Sequence, residues 1–280
     1  MSDLVTVHTG LDFGEGPRWH DGRLWFSDFH RHGVFTLADG VEERVVTVEN
    51  RPSGLGWMPD GTLLIVSMVD RRVLRVADDG TLAEHADLSG IASWHCNDMV
   101  VGVDGTAYVG NFGFDLDAGA DPIGASLARI EPDGTVHEAA TDLLFPNGSV
   151  ITPDGGTLVV GETFGGRYTA FTIADDGSLT DRRVWAEIPG HAPDGCALDA
   201  DGGIWFADPV NHRVTRVIEG GEITHMVETA DGAFACALGD DDRRTLYVIT
   251  CAGSSDADTI GTGTGAISTM RVDAPGAGLP

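Results

Sequence analysis

Asp21-Gly-Arg-Leu-Trp-Phe-Ser27 reads as a tight turn that opens a short apolar strand. Asp-Gly supplies the positive-φ residue that such turns need, and the aromatic run after it suits a buried strand. The pattern returns at Asp60-Gly61 before Leu63-Leu-Ile-Val-Ser67, and at Asp104-Gly105 before Ala107-Tyr-Val-Gly110. It returns again at Asp154-Gly155 before Leu158-Val-Val-Gly161, and at Asp201-Gly202 before Ile204-Trp-Phe-Ala207. A degraded sixth copy, Asp241-Asp242, precedes Leu246-Tyr-Val-Ile249. The intervals are 39, 44, 50, 47 and 40 residues. A strand-rich repeat of about 40–50 residues is the mark of a β-propeller, each repeat folding as one four-stranded blade. Six units fill the 280 residues, so the chain is expected to be all-β, a six-bladed propeller over residues 1–280 as a single domain.

Within each unit a second strand follows, as in Val73-Leu-Arg-Val76 or Val214-Thr-Arg-Val217. Further turns at Asp39-Gly40, Asp79-Gly80, Asp133-Gly134, Asp176-Gly177 and Gly220-Gly221 lead to an outer strand. Leu4-Val-Thr-Val7 is too short to stand alone and is expected to pair with Ile267-Ser-Thr-Met-Arg-Val272, closing the ring and removing free edges. Two stretches of loop composition break the rhythm. Residues 113–125 lengthen the third unit and are expected to wall a pocket; residues 252–265 lengthen the sixth and read as slack. No amphipathic helix stands out.

Composition narrows the chemistry. The net charge is −27, from 44 acidic residues and 17 basic ones, and every basic residue is arginine. Such acidity repels nucleic-acid phosphates and anionic membranes, so neither is an expected partner. It suits a solubilising surface or a salt-adapted host. The absence of lysine excludes Schiff-base chemistry and a P-loop. No run approaches the roughly 18 apolar residues of a membrane span, and the start has no signal-like apolar stretch; a cytoplasmic location is the expectation. Cys96, Cys196, Cys236 and Cys251 lack metal-ligand spacing and read as buried free thiols.

A propeller brings the same position of every repeat to one central channel. Just before each Asp-Gly turn, the strand expected to line that channel begins with Glu15, Ser53, Asn97, Asn147, Asp194 and Phe234 in turn. Asn and Asp often cap turns, but four carboxylate or amide side chains converging on one axis point to a cation. Glu15 and Asp194 bring negative charge; Asn147 and Asn97 bring neutral carbonyl oxygens. That set suits one hard divalent ion, Ca²⁺, Mg²⁺ or Mn²⁺, with Zn²⁺ also able to bind. A metal would also relieve the repulsion between the two carboxylates.

These residues carry a resemblance. EGPRW at 15–19, LWFSD at 24–28, ND at 97–98, FPNG at 145–148, TPDG at 152–155, PDG at 193–195, IWFAD at 204–208 and ALG at 237–239 recur together. In combination they resemble the senescence-marker-protein/gluconolactonase (regucalcin-like) family across essentially the whole chain. The resemblance implies a six-bladed propeller with one divalent metal, held by Glu15, Asn147 and Asp194, and a substrate-contacting Asn97. It implies hydrolysis of a lactone or related ester, with Asp194 also serving as base. Sugar-lactone members often carry arginine two residues before the Asn of the ND pair; here His95 stands there, near Trp94, Phe112, Phe114 and Phe164. That departure points to a less polar substrate. His30, His32 and His191 are further candidates for the channel mouth. Phosphotriester hydrolysis, a metal-dependent lyase or isomerase, and a non-catalytic calcium-binding propeller are the alternatives. No GxSxG, HExxH or helix-opening GxGxxG motif offers another chemistry.

Overall fold

The computed structural model describes residues 4–280 and folds them into six four-stranded antiparallel sheets. Their innermost strands are Gly14–His20, Pro52–Trp57, Cys96–Val101, Pro146–Ile151, Cys196–Leu198 and Gly232–Gly239. Each packs against the next, and the sixth packs against the first, so the ring closes around a central channel. The Asp-Gly turns fall between the first and second strands of their blades, as expected; the Gly-rich second set falls between the third and fourth. Burial grades outward. Cys96–Val101 is buried throughout, whereas the outer strand Ile223–Glu228 alternates between half-buried and exposed. That alternation is what a half-solvated antiparallel edge requires.

The core lies between blades. Leu64, Val66, Met99, Val109 and Ile130 interlock blades 2 and 3. Phe26, Phe35, Tyr247 and Ile249 do the same for blades 1 and 6. Blade 6 is built from both ends of the chain: Gly232–Gly239, Thr245–Cys251 and Gly265–Arg271 are completed by Val5–Leu11, with Val5 opposite Thr269. The closure read from Leu4–Val7 is therefore borne out. The tail crosses the far end of the channel, where Leu279 pairs with Ile151 and Gly276 with Asp199. The four cysteines are free and buried, and burial pushes the Cys96 and Cys196 thiols up to about 12. No helix of the described residues is long and apolar enough to cross a membrane.

Two local features aim side chains at the channel mouth. The pairing of each innermost strand in blades 1, 2, 3, 4 and 6 slips at the candidate position, between Glu15 and Arg18, Pro52 and Leu55, Cys96 and Met99, Pro146 and Ser149, and Ala233 and Ala235. A bulge of this kind bends the strand and redirects one residue. Glycine then lets the strands converge. A Cβ on Gly148 would lie 2.4 Å from the Asp194 carbonyl oxygen, and one on Gly54 would lie 2.4 Å from the Met99 nitrogen.

Candidate active site

At the mouth of the channel lies a cavity of about 450 Å³. Glu15, Asn97, Asn147 and Asp194 all line it, as do His95 and Phe234. The sequence-expected residues are therefore brought together from blades 1, 3, 4, 5 and 6. Ser53 stands behind them: its hydroxyl donates to Asn97 Oδ1 at 3.3 Å. Asn97 thus keeps its amide N–H groups for the cavity.

Glu15 and Asp194 are buried, at 5 % and 8 % exposure. Burial pushes the Glu15 carboxyl well above its ordinary range, and the neighbouring Asp194 and Asp98 charges add to this; the Gly16 N–H and Arg18 offset part of it. Burial likewise pushes Asp194 up to about 8, with Asp98 and Asp208 adding to it and the Asn147 amide and Gly195 N–H opposing. Arg18 cannot neutralise the pair. Its guanidinium bonds Asp98 Oδ1 at 2.6 Å and the carbonyls of Met99, Leu55 and Pro17 at 2.8, 3.1 and 2.9 Å.

Asn147 is held by its neighbours. Its Nδ2 donates to Thr163 Oγ1 at 3.1 Å, and that hydroxyl gives its own proton to the Pro193 carbonyl at 2.8 Å. Thr163 can therefore only accept from Asn147. This fixes which way the amide points and leaves Oδ1 as the free end. Two carboxylates and an oriented amide oxygen form an all-oxygen donor set with excess negative charge. The residues fit a hard divalent cation. Among the described residues no three His, Cys, Asp or Glu side chains cluster as a metal site, so the nitrogen- and sulfur-rich sets that zinc prefers are not found.

The histidines divide. His30 and His95 line the cavity, and burial pushes both rings down from their ordinary value. His32 does not reach it. It is exposed in a positive-φ turn. His191 is also elsewhere, with Nδ1 2.8 Å from Asp208 and its ring edge against Phe206. His95 stacks on Trp94 at 5.1 Å and tilts against Phe112 at 5.9 Å. Phe112 and Phe164 line the cavity; Trp94 backs His95, and Phe114 is buried behind Phe145 and Phe164.

Several contributors escaped the sequence. Phe13, Phe29, Met68 and Phe145 wall the cavity, but as apolar residues flanking strands they read as core. The 113–125 insertion supplies Leu116 and Asp117, as expected. The 252–265 insertion is not slack: it supplies Ser254 and Asp256, and Asp256 receives Arg51 Nη2 at 3.0 and 3.2 Å. Arg51 precedes the inner strand of blade 2, so this pair spans the rim from blade 2 to blade 6.

Glu162 is not a spare acid. Both its oxygens are engaged, by the Leu144 N–H, Arg167 and the Thr169 hydroxyl.

Comparison with known proteins places this geometry. The pentonolactonase XacC of Haloferax volcanii is 29 % identical over 298 residues, covering 100 % of this chain and 97 % of that protein. Regucalcin from Agrobacterium tumefaciens, described as a calcium-binding protein, superposes with a TM-score of 0.82 at 22 % identity, over 100 % of this chain and 96 % of that one. A gluconolactonase from Xanthomonas campestris superposes with a TM-score of 0.76 at 25 % identity, over 99 % and 89 %. The family model of the SMP-30/Gluconolactonase/LRE-like region matches residues 13–252, which takes in every cavity-floor residue described above, and the chain belongs to that family.

Proposed function

We propose that the protein hydrolyses a lactone with the help of one divalent cation. The observation that carries this reading is the pair of buried carboxylates, Glu15 and Asp194, each pushed up in pKa, beside two amides at the floor of the cavity. The lactonases among the relatives support the reaction class. Glu15 and Asp194 would hold the cation with their carboxylates and Asn147 with Oδ1. A cation so held supplies Lewis acidity toward a carbonyl and lowers the pKa of water.

The chain's own residues do the rest. Asn97 donates its amide N–H to the lactone carbonyl oxygen and steadies the charge that gathers there during attack. Asp194 accepts a proton from the attacking water as the water oxygen bonds to the carbonyl carbon. The ring C–O bond then breaks, and the proton passes to the departing ring oxygen. The product is an open hydroxy acid. Thr163 contributes by holding the Asn147 amide in one orientation.

Elemental analysis of the purified protein, with calorimetry after chelation and re-addition, tests the cation: one ion per chain is expected. Turnover of a lactone panel should vanish with chelator and return with metal. Binding no tighter than millimolar, or turnover indifferent to chelator, overturns the proposal.

A further inference from the structure

The cavity has a polar floor, and every blade gives an apolar side chain to its wall. Phe29, Met68, Phe112, Phe164, Val210 and Phe234 come one from each blade. The first five share one structural address, the first or second residue after the second strand of their blade. Phe13 bridges two of them, with ring centroids 4.9 Å from Phe29 and 4.7 Å from Phe234. The wall runs outward to the rim, where Phe164 is 46 % and Val210 73 % exposed. In a chain with a net charge of −27, apolar side chains facing solvent around one opening call for a reason.

The wall also carries His30, Arg51, His95, Asp117, Ser254 and Asp256, and these are the groups a polyol would have to use. Arg51 and Asp256 are bonded to each other. His95 stacks on Trp94, which covers one face of the ring and leaves its edge nitrogens for a ligand. Where it lies against the phenyl rings, a substituent bearing a hydroxyl on each carbon would lose its water and gain no partner. A hydrocarbon substituent loses nothing there and gains burial.

Resting on the lactonase reading, we propose that the substrate is a lactone whose ring carries an apolar substituent, alkyl or aryl, with the ring carbonyl on the polar floor and the substituent along the six-blade wall. In this the chain would part from the sugar lactonases among its relatives.

Two homologous series test it on the metal-loaded protein. The first is γ-lactones with alkyl groups from methyl to hexyl, compared with gluconolactone and a pentonolactone by kcat/KM. The second is the matching γ-lactams, which resist hydrolysis, followed by calorimetry. Each added methylene should raise kcat/KM and lactam affinity by about fourfold until the wall is covered. Phe164→Ser, at a position already half exposed, should flatten both trends without endangering the fold. Lactams that follow the trend while no lactone is turned over uphold this inference and sink the catalytic reading instead. Turnover that is flat or falling with chain length, a tenfold preference for either sugar lactone, or no lactam binding at any length overturns it.

Discussion

Replacing Asp194 by asparagine should make the metal-free protein more stable, and the gain should depend on pH. Asp194 is 8 % exposed, and its carboxyl is pushed from an ordinary 3.8 to about 8. The sign follows from where each state holds its proton. Below pH 3.8 the folded and unfolded chains are both protonated there, and the group costs nothing. Above it the unfolded chain releases a proton that the folded chain must keep. The cost then grows by about 1.36 kcal/mol for each pH interval until the folded group also ionises. At pH 7 it reaches roughly 4 kcal/mol. Asparagine escapes this cost and keeps one acceptor oxygen, but its NH2 is less well paired than the acid it replaces, so with about 1–2 kcal/mol lost there a net gain of about 2–3 kcal/mol remains. In a chain of this size that is a rise in Tm of roughly 4–8 °C. Thermal unfolding in chelator from pH 4 to pH 8 measures it: the variant should be the less stable by about 1–2 kcal/mol at pH 4, and overtake the wild type as the pH rises. With saturating metal the order should reverse, since the wild type binds the ion more tightly. Activity of the loaded variant should fall by about two to four orders of magnitude, the worth of a positioned base. A variant no more stable than wild type at pH 7, or an advantage that ignores pH, refutes the argument about the buried charge.

The other residues around the floor should behave differently. Asn147→Ala removes a neutral ligand and Thr163→Val releases the amide that presents it, so each should weaken metal binding by about 10–100-fold while excess metal restores most activity, as titration calorimetry and metal-dependent rates would show. Glu162→Gln should leave kcat within about twofold, because that carboxylate is bound on every side and lies outside the cavity. Burial alone would raise the Glu162 pKa, but Arg167, the Leu144 N–H and Thr169 outweigh it and hold it below the ordinary 4.5. Its stabilisation is therefore complete above that value and lost as pH falls below it. Denaturant unfolding should show a loss of about 1–3 kcal/mol near neutral pH that fades toward pH 3.

The architecture was legible because its cause is local. An Asp-Gly turn needs only adjacent residues, and its recurrence counts the blades. Glu15, Asn147 and Asp194 were legible for the same reason: each holds a corresponding place in its own repeat. What depends on separate blades was not. Arg18 sits inside the quoted EGPRW, yet its partner Asp98 lies 80 residues away, and nothing near either residue announces the pair. Arg51 and Asp256 are 205 residues apart, so the 252–265 insertion looked idle. Phe13 and Phe29 could not be told from core, since a phenyl ring facing a cavity and one facing another blade look alike in sequence. His32 and His191 illustrate the reverse: a histidine in a loop has no periodicity to fix its direction, and His32 stays in solvent while His191 turns to Asp208.

The sixth blade sets a schedule for synthesis. Thr6 and Ser268 meet through their hydroxyls, but 262 residues separate them. At roughly 5–20 residues per second, a ribosome takes roughly 13–50 s to travel between the two partners. Through that interval five blades can form in order, while the segment at 5–11 has no strand to join and the ring stays open. The nascent chain thus carries an unpaired edge of its own making until the last strand arrives. The most acidic feature of the sequence, its surplus of carboxylates, then has a second use: like-charged chains keep their distance while each waits to close.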